Sequence, residues 1–185
     1  MSIVEGNIHT FFQELLLDAA KGQHAEVSLH VLSYVTDMLV EFQQSARFFH
    51  GTEARMPVLV DLLTDALEAN DHRRISLIRH MGDTSLMLSG YFPAAISKHG
   101  MNIKYYQHMG EIAYAQLGAL SEDYNVFDEL SDQFVLLSDL VNEVSEQTQS
   151  SHDSLLKLLE KYWTTGSEKA FEKLKQQGIV PLKKR

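Results

Sequence analysis

The stretch Arg79-His80-Met81-Gly82-Asp83-Thr84-Ser85-Leu86-Met87-Leu88-Ser89-Gly90-Tyr91-Phe92-Pro93 decides the fold. With its lead-in it reads as a helix over about His72 to Ser89. Ile75, Ile78, Gly82, Ser85 and Ser89 recur at steps of three and four and form one seam. Leu77, Met81, Leu88 and Tyr91 form a second. A helix with two apolar seams is buried on two sides and belongs at the centre of a helical protein. The Gly82-Ser85-Ser89 face is small and admits a neighbouring backbone. Gly90 weakens the last turn, and Pro93 disfavours helical geometry at Phe92.

The matching surface lies just downstream. Ile103, Tyr106, Gly110, Ala113, Leu117 and Leu120 predict a helix over 102–119, and Gly110 with Ala113 gives it a small patch of its own. The two small faces are expected to pack together around the Ser89-to-Asn102 connection. Asp71 is the expected N-cap of the first of these helices.

The flanking segments read as amphipathic helices. Phe11, Phe12, Leu15, Leu16 and Ala19 predict one over Ile8–Ala20, ended by Gly22. Leu32, Val35, Leu39, Phe42, Ala46 and Phe49, widened by Val31 and Met38, predict a second over Ala25–Phe49, with Thr36, Glu41, Gln43 and Gln44 on its polar face. After a loop at His50-Gly51-Thr52-Glu53, Pro57 suits a first helical turn. Leu59, Leu62, Leu63 and Leu67 then point inward from a helix over Val58–Ala69. Ser121 is a good cap for a helix in which Phe127, Leu130, Phe134, Leu137, Val141 and Val144 keep heptad spacing. That stripe suits a bundle helix or a dimer seam. Gln147–Ser151 reads as a polar linker. Two shorter helices follow, packed by Leu155, Leu156, Leu158, Leu159, Tyr162 and Trp163 and by Phe171 and Leu174, before Gly178. The expectation is a single-domain all-α bundle over 1–185, with about seven to nine helices. The central helices are 72–89 and 102–119, and 151–185 is a possible C-terminal helical appendage.

With 185 residues, 44% of them hydrophobic, the chain can bury a core of its own. It has no cysteine, so disulfides, thiolate nucleophiles and cysteine-bound zinc are excluded. The N-terminus shows no basic region followed by an apolar run, and no apolar run reaches the length of a membrane span. The cytoplasm is the expected compartment. The net charge of −9 argues against general binding to phosphate backbones. That charge is segregated. Tyr105–Leu156 holds ten acids and no Lys or Arg, whereas 157–185 holds eight bases and three acids. The basic tail packs on an acidic surface of its own chain or of a partner protomer, or it is the one candidate surface for nucleic acid or lipid.

Gly82-Asp83, Ser89-Gly90-Tyr91-Phe92-Pro93, Tyr105-Tyr106, Met109-Gly110 and Ala113-Tyr114 resemble a pattern found in a family of uncharacterised bacterial all-helical proteins. The resemblance covers Arg79–Leu117, with a similar ending near Gly166-Ser167-Glu168 and Gly178-Ile179-Val180-Pro181. It implies a bacterial protein of shared fold and carries no activity, cofactor or site.

The candidate ligand-binding residues are Asp83, Arg79, His80, Tyr91, Tyr106 and Tyr114. Asp83 lies on a helix that is apolar on most sides, where a carboxylate needs partners. Arg79 and His80 are one turn earlier. The alternative for these residues is an ion pair that orients the helix. Tyr106 and Tyr114 share a face, with Tyr91 across the connection, and such rings line pockets or fill cores. His108 and Glu111 have helical metal-ligand spacing in the reversed order, so a solvated pair fits them better. Asp128 and Asp132 read as a solvated acidic face. No Gly-x-Ser-x-Gly elbow, P-loop or Rossmann glycine pattern occurs. No cofactor is indicated. Three readings result: a non-enzymatic interaction or regulatory protein that binds a protein partner or itself; a small-ligand or cofactor binder around Asp83 and Tyr91, Tyr106 and Tyr114; and a metal-dependent helical enzyme using His and carboxylates.

Overall fold

The computed structural model describes residues 2–46, 59–98, 100–120 and 124–176, and every regular element among them is a helix. In chain order these are α1 (Ser2–Gly22), α2 (Leu29–Ala46), α3 (Leu59–Glu68), α4 (Asp71–Leu86), a π-helical turn (Met87–Tyr91), α5 (Pro93–Lys98), α6 (Ile103–Gly118), α7 (Val126–Asp132), α8 (Phe134–Thr165) and α9 (Glu168–Gln176). The expected loop at His50–Glu53, the Pro57 start, the Ser121 cap and the stop at Gly178 lie outside the described residues.

The chain forms two compact units, Met1–Val144 and Ser145–Arg185. The division falls within α8, which runs as helix through the expected polar linker at Gln147–Ser151. In the second unit, Tyr162 of α8 and Phe171 of α9 pack with ring centroids 5.4 Å apart. Gly166 takes a positive φ of 64° at the turn between them, and the Ser167 hydroxyl accepts from the Ala170 amide at 3.4 Å.

In the first unit α4 and α6 are central because each feeds both apolar clusters. Leu86, Tyr114 and Leu117 join Phe12, Leu16, Val31, Val35, Leu39, Leu130, Phe134, Leu137, Val141 and Val144 in the main core. Met81 and Leu88 from one side, and Tyr106 and Ala113 from the other, close a smaller cluster with Leu59 and Ile96. Each such Leu or Phe contributes about 1.5–3 kcal/mol by leaving water. The small faces meet as expected. A Cβ on Gly110 would overlap the Phe134 ring and come within 2.9 Å of Ser85 Cβ. A Cβ on Gly82 would sit 2.6 Å from the Tyr114 ring.

Several local expectations are corrected. Asn70, not Asp71, caps α4, its side chain accepting from the Arg73 amide at 3.1 Å. The helix widens at Met87, where the Phe92 amide reaches back five residues to the Met87 carbonyl at 3.1 Å. Ser89 and Gly90 pack there against α8: Ser138 Oγ donates to Ser89 Oγ at 3.0 Å, and Val141 fills the space beside Gly90. The heptad stripe stays buried from Leu130 to Val144, but the helix is interrupted at Gln133. Gln133 sends its side-chain amide to the Glu26 carbonyl at 3.2 Å. Asn125 caps α7 through a capping box with Asp128. Thr36, expected on the polar face of α2, is fully buried, and its hydroxyl is satisfied by the Leu32 carbonyl one turn back. Leu67 and Leu120, expected inward, are exposed because they lie near helix ends, beyond the packed turns.

Candidate functional site

Asp83 sits in the last turn of α4, facing α2 and α6. Its Oδ1 accepts two phenolic hydrogen bonds, from Tyr34 Oη of α2 at 2.6 Å and from Tyr114 Oη of α6 at 2.8 Å. Arg79, one turn earlier, places Nε 3.9 Å from Asp83 Oδ2 and donates from the same nitrogen to Tyr34 Oη at 3.0 Å. Its guanidinium carbon stands 5.0 Å from the Tyr34 ring centroid, a cation–π distance. The edge of Tyr34 meets Tyr114 and Phe127 in T-shaped contacts at 6.2 and 5.7 Å. Phe134 closes the far side of Tyr114, with centroids 5.8 Å apart.

The electrostatics follow from burial. Desolvation lifts the Asp83 pKa above its ordinary value; the two phenols, Arg79 and the nearby His80 each pull it back down. The same burial, with the carboxylate alongside, pushes Tyr34 and Tyr114 upward, so both stay neutral donors. The cluster is a carboxylate held by two uncharged O–H groups, with a half-exposed cation as counter-charge. Its leading structural effect is to tie α2, α4 and α6 together at one oxygen atom.

The six predicted residues therefore separate. Asp83, Arg79 and Tyr114 converge. His80 lies on the exposed side and reaches Asp83 through its field. Tyr106 belongs to the smaller cluster, where its hydroxyl meets Met101 Sδ at 2.8 Å. Tyr91 packs at the edge of the main core with its ring 5.0 Å from that of Phe92. A pocket lined jointly by Tyr91, Tyr106, Tyr114 and Asp83 is not formed, because the α6 residues two turns apart face different clusters. Tyr34 and Phe127 complete the arrangement; the sequence marks Phe127 as a core position of the heptad stripe and does not single out Tyr34. The signal for Tyr34 was its place between Val31 and Met38 on the core stripe of α2, where a lone phenol needs a polar partner. His108 and Glu111 form a solvated pair at 3.6 Å. Among the described residues no group of three or more His, Cys, Asp or Glu could hold a metal ion, and no helix is long and apolar enough to cross a membrane.

Tyr34 has a second role. It forms part of the wall of an open groove of about 510 Å³ between the first turns of α2 and the start of α7. Ser28, His30, Ser33 and Asp37 continue the α2 wall; Tyr124, Asn125, Val126 and Glu129 form the other. Glu129 Oε1 accepts from the Ser28 amide at 2.7 Å and so fixes the two walls together. Asp37 Oδ1 meets His9 Nε2 at 2.9 Å. Tyr124 stands at the rim, 67% exposed, with its hydroxyl 3.5 Å from Asp132 Oδ2. The groove could have been sought in the sequence from His30, Ser33, Tyr34 and Asp37, a second, polar stripe at helical spacing beside the apolar one. No protein-family model, no curated protein and no solved structure matches this chain.

Proposed function

We propose that this is a non-enzymatic interaction protein that works through protein–protein contacts, with the groove between α2 and α7 as its docking face. The observation that carries the reading is the combination of an open surface groove and a wall fixed from behind, since Tyr34 is held by Asp83 and Arg79. A wall ordered in advance lowers the entropy lost when a partner docks. Asp83 supports the reading from the other direction. Its Oδ1 is committed to two tyrosines that join three helices, which is the work of an architectural acid. A bacterial setting belongs to the same proposal and rests on the resemblance of Arg79–Leu117, and a cytoplasmic one is proposed with it.

Site-specific photo-crosslinking in the expressing cell tests it. A benzophenone side chain at Ser33, exposed in the groove wall, should give one discrete adduct. The same probe at Gln116, exposed on α6 away from the groove lining, should not. Equal, diffuse labelling from both positions would remove the docking face.

A further inference from the structure

We infer that the groove receives a basic segment of a partner protein, which sets apolar side chains against its walls and a Lys or Arg between Asp37 and Glu129. The inference rests on the interaction reading above and adds the chemistry of the partner. Volume and shape come first. About 510 Å³ is far more than one ion needs and accommodates several side chains. Small-molecule sites enclose most of their ligand. This groove is largely open to solvent, which suits side chains projecting from a segment that lies outside it.

Charge decides the rest. The described lining contains two carboxylates and no Lys or Arg. Each carboxylate uses one oxygen within the chain, Asp37 Oδ1 toward His9 and Glu129 Oε1 toward the Ser28 amide. The second oxygen of each remains to accept from a partner. Asp128 and Asp132 lie on the same short helix as Glu129 and add to its negative charge, Asp128 while capping that helix through the Asn125 amide. Between the carboxylates, Val126, Tyr34 and the exposed ring of Tyr124 supply apolar and aromatic surface among the polar Ser28, His30, Ser33 and Asn125. Arg79 already stands over the Tyr34 ring, which shows the geometry a guanidinium adopts here. Tyr124 offers the partner a ring at the rim for the same kind of contact. A segment carrying acids would meet uncompensated like charge, so the groove also discriminates by repulsion.

The experiment uses the full chain, isotope-labelled, with defined probes: an 18-residue amphipathic Leu/Lys peptide, the same peptide with Glu for every Lys, and spermine. The Leu/Lys peptide should shift amides in 28–37 and 124–129, and the Leu/Glu peptide should not. Asp37→Asn with Glu129→Gln should weaken the Leu/Lys peptide roughly tenfold, as two exposed ion pairs imply. Glu14→Gln with Asp18→Asn removes the same charge from exposed positions of α1 and should weaken it by no more than about twofold. Tyr124→Ala, at an exposed ring, should also weaken binding without changing helix content. Equal loss in both charge variants, shifts outside the groove, or spermine binding as tightly as the peptide would overturn the inference. So would a groove already covered by a second copy in solution. A discrete Ser33 adduct to an acidic or uncharged segment would leave the interaction reading standing and sink this one. Groove binding of the Leu/Lys peptide with no Ser33 adduct in cells would sink the interaction reading, and the partner protein with it, while leaving the groove's preference for basic segments in place.

Discussion

Replacing Tyr114 by Phe removes one oxygen atom from the centre of the first unit and leaves its packing intact. The hydroxyl is fully buried and donates to Asp83 Oδ1 at 2.8 Å. A hydrogen bond to a charged acceptor is worth about 1.5–3 kcal/mol. Asp83 keeps Tyr34 at 2.6 Å and Arg79 at 3.9 Å, so the carboxylate is not orphaned and the middle of that range, about 2 kcal/mol, is expected. With a urea slope of about 2 kcal/mol/M, the unfolding midpoint should fall by roughly 1 M. Tyr106→Phe is the control on the same helix. Its hydroxyl meets the weakly accepting Met101 sulfur, at a residue 44% exposed, and its loss should cost about 0.5 kcal/mol. Urea unfolding followed by circular dichroism, with amide exchange in α4 and α6, reads both variants. Tyr34→Phe with Tyr114→Phe should cost more than the sum of the single changes, because the second loss strands a buried carboxylate. Equal midpoints for the Tyr114 and Tyr106 variants, or strict additivity of the Tyr34 and Tyr114 losses, would refute the shared-oxygen account.

Gly110→Ala should destabilise by about 1–3 kcal/mol, since the new methyl overlaps Phe134 and crowds Ser85. Helix propensity alone predicts a gain of about 1 kcal/mol, so the sign of the shift in thermal midpoint separates the two effects. Asp83 should also give an inverted pH dependence. Burial sets its folded pKa above the ordinary 3.8, so between those two values the native state binds more protons than the unfolded chain. Its contribution to stability is full below 3.8 and is lost as pH rises through the folded value. Relative to Asp83→Asn, the wild type should therefore lose stability across that window, as read from paired urea midpoints. A wild type that gains stability there would contradict the burial argument.

The centre of the fold was legible because its signal is steric. Gly82, Ser85 and Gly110 are small at helical spacing, and small faces must meet something large or close, here Tyr114, Phe134 and each other. The buried stripe from Leu130 to Val144 was legible from its apolar heptad spacing. Its interruption at Gln133 was not, because neither Gly nor Pro marks it and the side-chain bond to the Glu26 carbonyl is a long-range contact. The candidate site was half legible. Asp83 stood out as an acid on an apolar helix, and Arg79 and Tyr114 were named with it. Tyr34 comes from a helix far away in sequence, and no local pattern says which of several phenols a buried carboxylate will take. Tyr106 shares helical spacing with Tyr114 and Tyr91 lies across the connection, but spacing fixes a face and leaves open which core that face enters. The groove depends on two walls from α2 and α7 meeting, and a single-chain periodicity cannot report a meeting.

The π-helical turn at Met87–Tyr91 makes the chain tolerant of a particular kind of change. A π turn is an α-helix carrying one residue too many. A gene copy lacking one codon in this stretch would encode a regular α-helix, with no break in reading frame. The bulge that absorbs the surplus residue would close, and Pro93 would begin α5 in nearly its present direction. A codon lost from the regular turns of α4 has no such surplus to draw on, and everything beyond it would swing by about 100° around the axis. Ser89 and Gly90 would then leave Ser138 and Val141. Lineages of this protein should therefore lose a residue within Met87–Tyr91 before they lose one within α4.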